Sequence, residues 1–362
     1  MKYTFKIETK ADSDWDHNLL KSTYATFFQS TNYLNSNSKD YFPIFIYVFD
    51  QDQNIVGQLG LRIIKTTVMY SSNFLKFFDR IISKFSTRII WVYGPIIHSN
   101  DLKIRKNILL EIIKAINIIA KQNNVVFIEG QTPPNDFLIN LDYLTLFEKK
   151  RYEKNDLISF ITNLDQSKDD LWKNISKNTR GDITRAKKRN IIVKQLESKK
   201  ETEEYIKLNQ EWSQTKGLTI TDSQKEIEQL WKNHENKIEQ IFLAFKDKKL
   251  ISAIRVGCFN KIAYTNFVIN SYSNSTNLGG SLLTWYVLEW AKENNFKIYD
   301  FSGGPKINKN TDKISSLLFY KSKWGGKETP YYNLIKIRQK LHYKIFLILF
   351  KLLRKYHDVR GS

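Results

Sequence analysis

Three side chains toward the end of the sequence are of types that together can move an acyl group: Asp300, Tyr320 and Lys321. When an amine attacks an acyl ester, negative charge builds on the carbonyl oxygen. A fixed ammonium beside that oxygen stabilises the transition state more than the ground state, and Lys321 suits this role. Asp300 lies in Lys297-Ile298-Tyr299-Asp300-Phe301-Ser302-Gly303, an apolar strand that stops on a turn. Strand ends are where open α/β sheets bind ligands, and a carboxylate there can take or orient the proton of the attacking amine. Tyr320 offers a ring to stack on a base or a cation. Upstream, Gly279, Gly280 and Ser281 open an amphipathic helix that runs to about Asn294. The unpaired N–H groups of such a helix start suit an anion. Each part also has a plainer reading. The glycines can be a turn, Asp300 a residue on a polar sheet face, and Lys321 a surface lysine of a helix that packs Leu317, Leu318 and Trp324 inward.

The elements that must position these residues occur twice, in the same order. Pro43-Ile44-Phe45-Ile46-Tyr47-Val48-Phe49, a polar turn at 50–54 and a return at 55–61 read as a hairpin. Residues 241–245, 246–249 and 250–254 repeat it. A long helix follows each hairpin, over 102–121 and 278–294, and leads into a short strand at 125–130 or 297–303. This is a degenerate duplication, visible in order rather than in identities. Hairpin, helix and strand in that sequence predict an α/β fold of two tandem GNAT-like domains, with mixed twisted sheets flanked by helices. The expected domains are 1–162 and 163–337, followed by a basic amphipathic tail over 338–362.

The segment Tyr320-Lys321-Ser322-Lys323-Trp324-Gly325 resembles the Phe-Lys-x-x-Phe-Gly segment that closes the second domain in the Fem family. These are aminoacyltransferases with two GNAT-like domains that build peptidoglycan bridges from aminoacyl-tRNA. Residues 26–33 and Val92-Tyr93-Gly94-Pro95 resemble landmarks of the family's first half. The chain departs from the family at Tyr33, where a tryptophan is expected. It departs again at Asn35-Ser36-Asn37-Ser38, where a phosphate-binding lysine is expected and Lys39 comes only afterwards. A UDP-linked muropeptide acceptor is correspondingly disfavoured. Residues 172–189 resemble the family's basic helix, in which an arginine or lysine helps hold the acceptor's phosphates; here Lys177, Arg180 and Arg185 are the candidates. A solvated basic face is the plainer reading. The resemblance implies transfer of an amino acid from aminoacyl-tRNA to an amine of a phosphate-bearing envelope precursor, with no bound cofactor. The alternative is a CoA-dependent GNAT N-acyltransferase acting on an amino sugar or lipid-linked glycan. Against it, a GNAT pyrophosphate loop wants Gln/Arg-x-x-Gly-x-Gly/Ala, and the corresponding ends here are Thr276 and Ser281. A third class is a catalytically silent RNA- or membrane-binding module on the same fold.

Composition narrows the partners. There are 57 Lys and Arg against 37 Asp and Glu, a formal charge of +20 that favours polyanions: RNA, anionic lipid or diphosphates. Cys258 is the only cysteine, which excludes an intrachain disulfide, and its apolar neighbours predict a buried strand thiol. The five histidines lack metal-ligand spacing, so no metal is expected, and His98 reads as a surface loop residue. Two stretches, 74–85 and 338–355, put apolar residues on one helical face and charges opposite; the second contains no acid. Such helices can lie on an anionic membrane or dock on the protein's own core. The first residues alternate like a strand rather than a signal peptide, and no run of about 18 apolar residues occurs. The expected location is cytoplasmic, peripheral on the inner face of the membrane.

Overall fold

The computed structural model describes residues 2–35, 41–65, 85–134, 143–215, 223–271, 277–306 and 312–360. Ser36 to Lys39, most of the stretch 74–85 and Thr276 lie outside them. The chain packs as two compact units, 1–157 with 330–362, and 158–329. The first opens with β1 (Thr4–Glu8), the short helices α1 (Trp15–Leu19) and α2 (Thr31–Leu34), and the hairpin β2 (Tyr41–Phe49) and β3 (Ile55–Ile64). Then come β4 (Arg88–Trp91), β5 (Ile96–Ile97), α3 (Leu102–Gln122), β6 (Phe127–Gln131) and α4 (Tyr143–Lys149), after which β7 (Glu153–Asn163) crosses into the second unit. The second unit holds α5 (Lys168–Asn174), α6 (Lys177–Lys188), β8 (Ile192–Gln195), α7 (Lys199–Thr215), α8 (Ser223–Glu235) and the strands β9 (Glu239–Lys246), β10 (Lys249–Phe259) and β11 (Ile262–Asn270). It continues through α9 (Asn277–Glu293), β12 (Ile298–Asp300), β13 (Gly304–Pro305) and α10 (Asp312–Ser322). Last are β14 (Lys327–Ile337) and α11 (Lys340–Arg360).

Local chemistry explains the elements. The Asp101 carboxylate caps α3 by accepting from the Ile104 N–H at 2.8 Å. Ile108, Ile112, Ile116 and Ile119 recur every three or four residues of α3 and are buried on one face. In the first hairpin, Asp50 Oδ1 accepts from the N–H groups of Asp52 (2.9 Å) and Asn54 (2.8 Å). In the second hairpin, Asp247 and Lys248 both take positive φ, 51° and 63°, as a two-residue turn between twisted strands requires.

The duplication is visible strand by strand. The first unit's sheet runs β1-β2-β3-β4-β6-β14 and the second's β8-β9-β10-β11-β12-β7. In both, every neighbouring pair is antiparallel except the fourth with the fifth, β4 with β6 and β11 with β12. A parallel pair needs a crossover, and α3 and α9 supply it. The sixth strand differs from the sequence expectation. β7, which follows the first half, pairs with β12, and β14, which follows the second half, pairs with β6. Each half of the chain therefore ends by completing the other half's sheet. The expected boundary at 162 cuts β7, and the segment assigned to the second domain up to 337 contains a strand of the first unit.

The first core gathers Trp91, Ile112, Ile116, Phe147 and, from β14, Leu334; the second gathers Trp285, Leu288, Tyr299, Phe301 and Trp324. Leu334 is fully buried. Leu334→Ala is expected to cost about 2–5 kcal/mol, the usual price of such a truncation in a core. Amide exchange should rise in β6 and α3; loosening confined to β9 through β12 would refute the exchanged pairing.

Candidate active site

β12 is only three residues long, and it ends on Asp300 with the carboxyl group buried, 1% exposed. Asp300 Oδ1 accepts from the N–H of Ser302 at 2.8 Å and from the Ser159 hydroxyl. Its Oδ2 is buried with no hydrogen-bond partner among the described residues. Burial penalises the charged carboxylate and raises its pKa to about 6, against the lowering effects of Ser159, Ser302 and Lys321.

Lys321 approaches from α10. Its Nζ donates to the Ser302 carbonyl at 2.8 Å. Burial lowers its pKa to about 8, and the Asp300 carboxylate pulls it upward. Ser302 joins the two groups through its main chain, donating from N–H to the acid and accepting at C=O from the base. It does so with φ at 56°, a left-handed conformation that is costly for a residue with a Cβ. Its hydroxyl donates to the Thr265 carbonyl on β11 at 2.5 Å, which holds the turn against the sheet.

The neighbouring Tyr320 turns its hydroxyl to the first two turns of α9, 3.0 Å from Thr284 Oγ1 and 3.4 Å from the Gly280 carbonyl. Burial pushes its pKa up to about 12, so it is a neutral hydrogen-bonding group. Ser281 is buried beside it. The glycines are required by close approach. A Cβ on Gly279 would sit 2.7 Å from Ile251 Cδ1, and one on Gly280 would sit 2.9 Å from Asn270 Oδ1. The start of α9 is thus seated directly on β10 and β11.

Asp300, Lys321, Tyr320, Gly279, Gly280 and Ser281 all belong to the second unit; contacts join Asp300 to Lys321 through Ser302, and separately Tyr320 to Gly280 and Ser281 at the start of α9. Asp300 is in the sheet interior rather than on a polar face, and Lys321 is half-buried. Leu317 departs from expectation: it is 51% exposed, whereas Leu318 and Trp324 are buried.

The basic helix is a different matter. Arg180 Nη1 donates to the carbonyls of Ile175 (2.6 Å), Lys173 (2.7 Å) and Trp172 (3.3 Å). These are the end groups of α5, which would otherwise lack donors. Arg185 is paired with Asp182 one turn away, and Lys177 is exposed. Asp182 is close enough to Tyr320 to raise its pKa slightly, which places that face of α6 near the site. His98 also departs from the surface reading: it is half-buried in the first unit, its Nε2 3.1 Å from Gln58 Oε1, and burial lowers its pKa to about 4. Cys258 lies in β10, where burial raises the thiol pKa to about 12. Sequence reasoning missed Ser159, Thr284 and Ser302. Ser302 had a signal in the Ser302-Gly303-Gly304 turn, but Ser159 stands 141 positions from Asp300 with none.

Two tandem α/β units with this strand order define the tandem GNAT-like fold. No family model and no curated protein sequence matches the chain. Solved structures do. FemX superposes with a TM-score of 0.69 at 14% identity, over 94% of this chain and 99% of that one. A tandem GNAT protein from the clavulanic acid biosynthesis pathway gives 0.57 at 11% identity, over 92% and 98%. L-PGS from Bacillus licheniformis gives 0.52 at 11%, over 98% and 99%. The chain has the fold of FemX; identities this low speak for the fold alone.

Two measurements check the site. Asp300 has a folded pKa above its unfolded value of 3.8, so its contribution to stability is present below pH 4 and lost as pH rises through 6. The loss amounts to about 2–3 kcal/mol, and Asp300→Asn should flatten that part of a urea-midpoint profile. An identical slope in the variant would mean the acid is not buried as described. Arg180→Ala is expected to destabilise the fold by about 1.5–3 kcal/mol, because carbonyls lose a charged donor. An unchanged melting temperature would return Arg180 to the pool of free phosphate ligands.

Proposed function

We propose that the chain is an acyltransferase that moves an amino acid from aminoacyl-tRNA to an amine on a phosphate-bearing cell-envelope precursor, working peripherally at the inner face of the membrane. The observation that carries this reading is the Asp300–Ser302–Lys321 arrangement: a half-buried ammonium and a buried carboxylate with one free oxygen, on a fold shared with FemX. The acceptor amine attacks the ester carbonyl, and the new C–N bond forms as a tetrahedral oxyanion develops. The Lys321 ammonium stabilises that charge. Asp300 Oδ2 accepts the proton released by the attacking nitrogen, which suits a carboxylate whose pKa is near 6. The C–O bond then breaks, and the tRNA hydroxyl leaves with the proton that Asp300 returns, which resets the carboxylate. Exposed Lys177 and the start of α9 are the groups offered to phosphates.

The same machinery would serve a thioester, and the tandem GNAT neighbour keeps a CoA-dependent N-acyltransferase as the second reading. Mass analysis of RNA or CoA co-purifying with the protein, followed by transfer assays with each donor, separates the two.

Lys321→Met is expected to lower turnover by about a hundredfold to a thousandfold, the usual effect of losing one transition-state donor. Methionine keeps the apolar stem, so the loss would report the charge. The pH profile adds a sign. An oxyanion stabiliser must be protonated, so turnover should fall as pH rises past about 8. A rise through pH 8 would make Lys321 the general base instead, and turnover that Lys321→Met leaves unchanged would remove it from the mechanism.

A further inference from the structure

The final helix, α11, has two apolar faces, and they meet different surroundings. It is tied to the first unit at its start: the N–H groups of Arg338 and Gln339 donate to the Val126 carbonyl at 2.9 and 3.1 Å, and Tyr343 N–H donates to Gln339 C=O at 3.0 Å. The rings of Tyr343 and Phe346 lie 5.0 and 5.6 Å from that of Phe127 on β6, and His342 lies 5.3 Å from Phe85. Phe127 is thereby buried, 6% exposed. This aromatic face is docked.

At 100° per residue, Leu341, Ile348 and Leu352 fall within about 40° of one another and nearly opposite Tyr343 and Phe346. They are 69%, 59% and 59% exposed, and half-buried Ile345 borders the stripe about 20° beyond Leu352. Lys340, Lys344 and Lys351 are also exposed and fall together along one flank of this stripe. From Arg338 to His357 the sequence contains six Lys and Arg and no acid. Among the described residues no helix is long and apolar enough to cross a membrane.

We propose that the outward stripe of α11 is the surface with which the chain lies on an anionic lipid bilayer, with the aliphatic side chains entering the interface and the lysines contacting phosphate headgroups. Charge complementarity selects this occupant: three lysines flanking an exposed aliphatic stripe match a surface that is apolar below and negative above. Tyr343 and Phe346 do not compete for the lipid, because they hold the helix on Phe127 of β6; Phe350, one turn further on, is 38% exposed. Core docking and membrane contact are therefore properties of opposite faces of one helix. The proposal rests on the membrane-side location given above. It fails separately from the transfer reading, because vesicle binding needs neither donor nor acceptor.

The test is flotation of the full chain with vesicles. Wild-type protein should partition onto vesicles of equal phosphatidylglycerol and phosphatidylcholine at least tenfold more strongly than onto phosphatidylcholine alone, and less as salt is raised. The triple variant Leu341→Glu, Ile348→Glu, Leu352→Glu should lose at least tenfold in binding with its melting temperature unchanged. Lys344→Glu with Lys351→Glu, which alters no apolar side chain, should lose binding similarly and decides the matter if the triple variant is unstable. Phe346→Ala, on the inward face, should instead lower the melting temperature. Wild-type binding retained by both surface variants overturns the proposal. So does a wild-type dimer in solution that the triple variant converts to monomer, since the stripe would then belong to a second copy.

Discussion

An isolated ammonium and an isolated carboxylate each resist burial, and the protein buries the carboxylate at the end of β12 and half-buries the ammonium that reaches it from α10. Removal from water pushes Asp300 toward its neutral form and Lys321 toward its own, so each becomes easier to discharge near neutral pH than it would be on the surface. Their mutual attraction opposes this drift but does not cancel it. The result is a pair held near its balance point, with one carboxylate oxygen left without a donor among the described residues. Everything around the pair serves to keep it in that condition: Ser159 and Ser302 satisfy the other oxygen, and the Ser302 carbonyl anchors the ammonium.

The scaffold accepts local strain to do this. Ser302 stands in a left-handed conformation so that its N–H and C=O can face opposite partners, and its hydroxyl fastens the turn to Thr265. On the other side, side-chain-free positions at Gly279 and Gly280 let α9 sit against β10 and β11, and the Gly280 carbonyl is met there by Tyr320 from α10 and by Thr284 one turn along the same helix. Arg180 ties α5 to α6 through three carbonyls. Its charge is already engaged, and its importance is to the geometry of the second unit.

What could be read from the sequence was whatever short-range pattern encodes. Period-two strands, polar turns and glycine at a helix start gave the repeated order of elements, and Asp300, Lys321 and Tyr320 stood beside recognisable segments. What could not be read was long-range. Ser159 meets Asp300 only because β7 pairs with β12, and no local pattern specifies which strand becomes a neighbour. Arginine in a basic run looks the same whether it faces solvent or a helix end, and the engagement of Arg180 depends on how α5 ends against α6. For α11, a single hydrophobic count could not separate a docked aromatic face from an exposed aliphatic one, since both lie on the same helix.

The exchange of β7 and β14 bears on how the chain can be made. A nascent polypeptide emerges from the ribosome N-terminal end first, at about 5–20 residues per second. By the time residue 131 has appeared, β1 through β6 can assemble, but the strand that covers β6 is some two hundred positions away. Its edge, with unpaired N–H and C=O groups, must wait while the whole second half is synthesised, an interval on the order of 10–40 s at those rates. During that wait β7 is the first strand to follow β6, and pairing it with β6 would be a local, premature solution. The second unit must claim β7 before the first is complete. The halves are thus joined by mutual completion: a gene split between them would yield two pieces, each with an open sheet edge and a surplus strand.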